Sequence, residues 1–339
     1  MLQEVIKLSV NQLEIRENKK FSINNAVVII NNYLSRIGIK PGTILGLFVL
    51  IVLLSLSTEK FLTVSNIMNV VRQVSINAII AFGMTYVILT GGIDLSLGST
   101  IALAGVAAAF LLGWGFPNIV VIILTLLFGA VFGVLNGIGI SKGKLPPFVV
   151  TLATMTIYRG VAFVLTQGRP IKIASDSTFV QMGVGYFLNI PIPVIILFVM
   201  LIVTHVLLDQ TKFGKYVYII GGNKETARLS GINIDKTIIW IYTISGICAA
   251  LSGIIMAARL YSGQPNAGQG YELDAVAAAI LGGTSITGGI GTILGTFIGA
   301  LIIGILNNGM NLLNIDFYYQ LVVKGVVIIL AVLLDTNRK

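Results

Sequence analysis

The sequence predicts an all-α polytopic membrane protein of about ten transmembrane helices, with Gly-rich breaks inside the membrane and both termini cytoplasmic. Three observations carry this prediction. Of the 339 residues, 56% are hydrophobic and only 10% charged, with a mean hydropathy of +0.95, whereas about a quarter of a soluble domain is charged. Long charge-free runs offer helices of membrane length. Lys and Arg gather in three segments separated by even numbers of crossings, and such segments collect on the cytoplasmic side.

A charge near the bilayer centre costs about 2.5–3.5 kcal/mol, so the uncharged runs mark the crossings. Residues 41–58, 73–93 and 237–258 each hold one, and 95–141 and 275–315 have room for two each. The stretch 177–208 holds one crossing, Val194 to Leu208, after a Pro-broken loop at Asn189–Pro193. Residues 147–166 and 317–334 each cross with one cation, Arg159 and Lys324. The basic segments are the lead-in (Lys7, Arg16, Lys19, Lys20, Arg36, Lys40), the turn with Lys142 and Lys144, and the loop 209–236 with Lys212, Lys215, Lys224, Arg228 and Lys236. The expected organisation is a cytoplasmic lead-in over 1–40 with a surface helix near Ala26–Leu34, a membrane domain over 41–335, and a tail over 336–339.

The single Cys248 excludes an intramolecular disulfide, and with the single His205 it excludes a zinc site of His and Cys. The net charge of +9 reads as topology signal and headgroup contact, with no nucleic-acid partner. Glycines four apart, Gly129/Gly133/Gly137 and Gly291/Gly295/Gly299, lie on single helix faces and predict close helix contact, which drives association in lipid. Two Gly-rich interruptions, Thr90–Gly98 and Leu281–Gly289, are either broken backbone lining a cavity or tight turns at the surface. Asp94 also suits a helix N-terminus. For Arg159 and Lys324, snorkelling to an interface is the first expectation and pairing inside the bundle the second. The amides Asn307, Asn308, Asn311 and Gln320 suit sugar hydroxyls or bridges between helices. The residues assigned to a solute pathway are therefore Gly91, Gly92, Asp94, Ser96, Asn307, Asn308 and Asn311. In the loop 209–236, Asn223 to Ser230 reads as two helical turns capped by Asn223 and stopped by Gly231.

The segments Val87-Ile-Leu-Thr-Gly-Gly-Ile-Asp-Leu-Ser-Leu-Gly-Ser99, Phe213-Gly-Lys-Tyr with Gly221-Gly-Asn-Lys-Glu-Thr-Ala-Arg-Leu-Ser-Gly-Ile232, and Gly263-Gln-Pro-Asn-Ala-Gly-Gln-Gly-Tyr-Glu-Leu-Asp-Ala275 closely resemble the ribose-type permeases of bacterial ABC sugar importers. The resemblance continues through Leu281-Gly-Gly-Thr-Ser, Ile303-Gly-Ile-Leu-Asn-Asn-Gly and Tyr319-Gln-Leu-Val-Val-Lys-Gly and covers about residues 60–335. It implies a homodimer in the bacterial plasma (inner) membrane, a cytoplasmic ABC ATPase subunit that binds ATP and Mg, and an extracytoplasmic sugar-binding protein. It implies a monosaccharide substrate, ribose first, with galactose and xylose among the sugars of related members. It also makes the loop a coupling element, carried here by Phe213, Gly214, Gly221, Gly222, Asn223, Glu225, Ala227, Arg228, Leu229, Ser230 and Gly231.

No cofactor is expected in this chain. Ser141-Lys-Gly-Lys144 is followed by Leu145, not Ser or Thr, and the upstream glycine is Gly137, so no phosphate loop is present. A proton- or sodium-coupled secondary transporter, the rival transport reading, needs carboxylates within the spans, yet Asp94, Glu272 and Asp274 all lie at breaks or helix starts. An intramembrane enzyme is disfavoured by the lone His.

Overall fold

The computed structural model describes residues 41–336. The lead-in, including the helix expected near residues 26–34, and the last three residues lie outside the described residues. The fold is helical: α1 Pro41–Ser57, α2 Val64–Leu89, α3 Leu97–Gly113, α4 Asn118–Ser141, α5 Pro147–Thr166, α6 Ile192–Asp209, α7 Lys212–Gly222, α8 Lys224–Leu229, α9 Ile234–Leu260, α10 Tyr271–Leu281, α11 Ile293–Leu312 and α12 Phe317–Thr336. Among the described residues, six (α2, α4, α5, α6, α9 and α11) are long and apolar enough to cross a membrane. The run 275–315, expected to cross twice, holds one such helix, because α10 has only 11 residues, about 16 Å. Its start is set by the left-handed glycines Gly268 and Gly270, its end by Gly283, also left-handed.

Local chemistry sets the helix ends. Thr63, Thr211, Asn233 and Thr292 each cap a helix by accepting a backbone N–H three residues on. Pro146 and Pro147 open α5, where a missing N–H costs nothing. The stretch before α6 forms a hairpin in place of the expected loop: β2 (Tyr186–Phe187) pairs with β3 (Ile190–Pro191) across Leu188 and Asn189, both left-handed. A second two-stranded pair joins β1 (Ile171–Lys172) to β4 (Ser262–Gly263).

Antiparallel α2 and α9 form the centre, with every α2 residue from Val74 to Leu89 buried. Gly83 sits on the α9 backbone at Ser245, and Ser252 Oγ donates to the Ile76 carbonyl at 3.3 Å. On the other side of α9 lies α4, where the expected glycine face finds its partner: a Cβ at Gly133 would fall on the Tyr242 carbonyl and Thr243 Cα. Gly246 of α9 returns the contact against Gly129. Gly295 and Gly299 of α11 press in the same way on Gly282 and the Ala278 carbonyl at the end of α10. Gly291 does not share that face, because α11 begins only at Ile293. It lies in the preceding loop with its carbonyl accepting from Tyr218 at 2.8 Å.

These contacts predict a sharp contrast. Gly133→Ala should destabilise the detergent-solubilised protein by about 1–3 kcal/mol through overpacking, whereas Gly160→Ala, with nothing within 4 Å of the added carbon, should leave thermal unfolding unchanged. Equal melting temperatures for the two variants would refute close packing of α4 on α9.

Candidate functional site

The first interruption, residues 90–96, joins α2 to α3 with Thr90, Gly92, Asp94 and Ser96 buried. Asp94, 1% exposed, accepts from the Ser96 backbone N–H at 3.0 Å and the Ser96 hydroxyl at 2.6 Å through Oδ1. Its Oδ2 accepts from Ser245 at 3.0 Å. Asn136 Nδ2 donates to Ser96 Oγ at 2.9 Å, and Thr151 donates to the Ile93 carbonyl at 3.1 Å. Helices α4, α5 and α9 thus each send one hydroxyl or amide to this segment, supplying what lipid cannot. Gly92 is buried with its missing side chain facing the Tyr242 hydroxyl, while Gly91 is exposed and left-handed.

The second interruption, residues 282–292, meets the first. Gly289 N–H donates to the Leu89 carbonyl at 2.9 Å, using an acceptor that the end of α2 leaves open. Gly221, near the end of α7, caps this junction: a Cβ there would fall on the Leu89 carbonyl and beside Gly289 N. Burial, with nearby Asp209, raises the Tyr218 pKa above its ordinary value, so the phenol remains a donor to Gly291. Glycine alone admits this approach, which explains Gly221 without invoking flexibility.

Around the junction the loop residues divide by role. Phe213 packs against the core and Gly214 on the Leu208 carbonyl. Asn223 caps α8 by accepting from Thr226 N–H at 3.0 Å, Ala227 is fully buried, and left-handed Gly231 ends the turn after Ser230. Gly222 has open space beside it. Glu225 and Arg228 form an exposed pair at 3.1 Å, and Leu229 is 88% exposed. The short helix α8 matches the expected two turns. The longer α7 was not expected, although its Thr211 cap and the spacing of Phe213, Val217 and Ile220 supply the signal.

The amides all bridge helices. Asn308 and Asn66 exchange hydrogen bonds of 3.0 and 2.9 Å between α11 and α2. Asn307 donates to Asp274 Oδ2 at 3.0 Å, and Gln320 ties Asn311 to the start of α12 at 2.9 Å. The snorkelling expectation for the cations is corrected. Lys324 Nζ meets Asp274 Oδ2 at 3.0 Å inside the bundle, because a buried carboxylate needs a counter-charge. Arg159 Nη1 donates to the carbonyls of Pro265 and Ala267 at 2.7 and 2.8 Å, satisfying the irregular chain between β4 and α10.

Beside that chain lies a cavity of about 620 Å³ lined by Arg159, Gly160, Phe163, Asn266, Gln269 and Glu272 among others. Sequence reasoning did not assign it. The available signal was four polar side chains crowded into Gln264–Glu272 directly before an apolar helix, opposite a cation in α5. Among the described residues, no group of three or more His, Cys, Asp or Glu is placed to hold a metal ion.

Two backbone breaks that meet within a bundle of apolar helices are an arrangement found in membrane transport proteins. Residues 66–332 match the family described as branched-chain amino acid transport system / permease component, and the chain belongs to that permease family. It is 50% identical over 300 residues to the ribose import permease protein RbsC of Bacillus subtilis (strain 168), covering 88% of this chain and 93% of the relative. RbsC of Haemophilus influenzae (strain ATCC 51907 / DSM 11121 / KW20 / Rd) is 46% identical over 308 residues, covering 90% and 95%. The D-allose transport system permease protein AlsC of Escherichia coli (strain K12) is 40% identical over 298 residues, covering 87% and 91%. No solved structure matches.

The Lys324–Asp274 pair gives a test of the interior. Lys324→Met leaves Asp274 without a counter-charge and should cost about 3–5 kcal/mol in detergent unfolding, while the double variant Lys324→Met/Asp274→Asn should recover most of it. A double variant no better than the single one would mean that the pair does not hold α12 to α10.

Proposed function

We propose that the chain is the membrane-spanning subunit of an ATP-driven importer that moves a monosaccharide, ribose, into the cytoplasm. The observation that carries this reading is the 46–50% identity to ribose import permeases over about nine-tenths of the chain. The allose relative at 40% keeps a second aldose as the alternative substrate within the same class. Two copies form the pore, residues 41–335 being the membrane domain of each, with ten helices and both termini cytoplasmic. An ATPase subunit binding ATP and Mg docks on the Lys-rich end, and an extracytoplasmic sugar-binding protein delivers solute to the other.

In this reading α7 and α8 are the coupling element. The exposed Arg228 and Leu229 offer the ATPase a planar, multiply donating contact beside an apolar one, while Gly221 lies on both breaks. A push on α8 therefore reaches Leu89 and Gly289 through two short helices without a flexible segment. Asp94, Ser96, Asn307, Asn308 and Asn311 act on the pathway by holding the breaks and half-helix in shape, with Gly91 and Gly92 permitting the turn.

In proteoliposomes with the ATPase and the sugar-binding protein, Arg228→Glu should cut receptor-stimulated ATP hydrolysis and ribose uptake together, by about tenfold or more. Gly221→Leu should instead separate them, leaving the ATPase bound and active while uptake falls. If both variants transport ribose at the wild-type rate, the loop is a passive connector.

A further inference from the structure

We propose that the cavity between α5 and the chain from Gly263 to Glu272 is a passage site for the solute, where its hydroxyls are held by Asn266, Gln269 and Arg159 and the charge of Arg159 is balanced by Glu272. This rests on the sugar-importer reading and gives that reading a location that the two breaks do not supply, since Asp94, Asn307 and Asn308 are already bonded to neighbours.

The depth argues first. Arg159 lies twelve residues into α5, about 18 Å from its start and close to the middle of a hydrocarbon core about 30 Å thick. A cation, a carboxylate and two amides at that depth are tolerated where they face protein or a water-filled cavity, not lipid. Yet Thr156, Gly160 and Phe163 on the same wall are exposed on the single chain, so the open side needs a cover in the membrane. The second copy of a homodimer would provide it and would turn a groove into a passage.

The chemistry argues next. Asn266 and Gln269 are exposed and have no hydrogen-bond partner among the described residues, so each presents both donors and an acceptor. Arg159 lines the cavity and uses Nη1 on the loop carbonyls, which fixes the guanidinium at its wall. Glu272 holds the Gly270 N–H at 3.2 Å through Oε1, while its Oε2 has no partner and packs against Gly98 in the first turn of α3. Glu272 thus sits where the N-terminal turns of α3 and α10 converge, and helix dipoles favour its negative charge there. The charges of Arg159 and Glu272 balance, the amides read hydroxyls in either sense, and Phe163 supplies an apolar face. That set suits a neutral polyol and gives no net attraction to an ion.

The test uses the complete transporter in proteoliposomes with labelled ribose. Gly160→Leu fills the cavity where an added carbon meets nothing within 4 Å, and Asn266→Leu/Gln269→Leu removes the free amides. Each should lower ribose uptake per ATP hydrolysed by about tenfold, with receptor-stimulated hydrolysis and dimer size by gel filtration unchanged. Wild-type uptake by both variants, or losses that track loss of the dimer, would overturn the passage site. A wild-type complex that accumulates leucine but neither ribose nor allose would instead overturn the sugar reading, an outcome visible before any variant is made.

Discussion

One backbone hydrogen bond, from Gly289 N–H to the Leu89 carbonyl at 2.9 Å, joins the two places where the membrane helices are interrupted. The Leu89 carbonyl is a helix-end orphan and the Gly289 N–H a loop donor, groups that water would satisfy elsewhere and lipid cannot. Their pairing ties the end of α2 to the chain that leads into α11. Gly221 closes over the pair, and Tyr218 fixes the Gly291 carbonyl beside it. The loop at the Lys-rich end is therefore part of the helix core rather than an appendage to it.

Interior charge obeys the same economy. Asp94 takes its three hydrogen bonds from Ser96 and Ser245, and Asp274 takes one from Asn307 and a counter-charge from Lys324. A carboxylate so arranged stabilises a shape and leaves little affinity for a passing solute.

The helical class and the long apolar helices such as α2, α4 and α9 were legible because charge placement and apolar run length respond to the same quantity, the cost of polar groups in lipid. The contacts of Gly133 and Gly299 followed from four-residue spacing, and the cap of Asn223 from local chemistry. What stayed hidden depends on long-range partners. Nothing near Lys324 in sequence announces Asp274, fifty residues away, and Arg159 meets carbonyls more than a hundred residues on. Hydropathy could not show that α10 has only 11 residues, because it reads composition and not where Gly270 and Gly283 start and stop a helix. The membership of a permease family, by contrast, was written in contiguous motifs around Gly91, Gly221 and Gly263, the first a left-handed turn and the other two points where backbone meets backbone closely.

The central claim is that α7 and the two breaks move as one body when the ATPase acts. Hydrogen exchange of the assembled transporter, compared with and without a non-hydrolysable ATP analogue, measures this directly. The account predicts that exchange in peptides covering 87–96 and 281–292 changes together with that in 212–222, since opening one requires opening the Gly289–Leu89 bond. Altered exchange confined to 212–230, with both breaks unaffected by nucleotide, would contradict it.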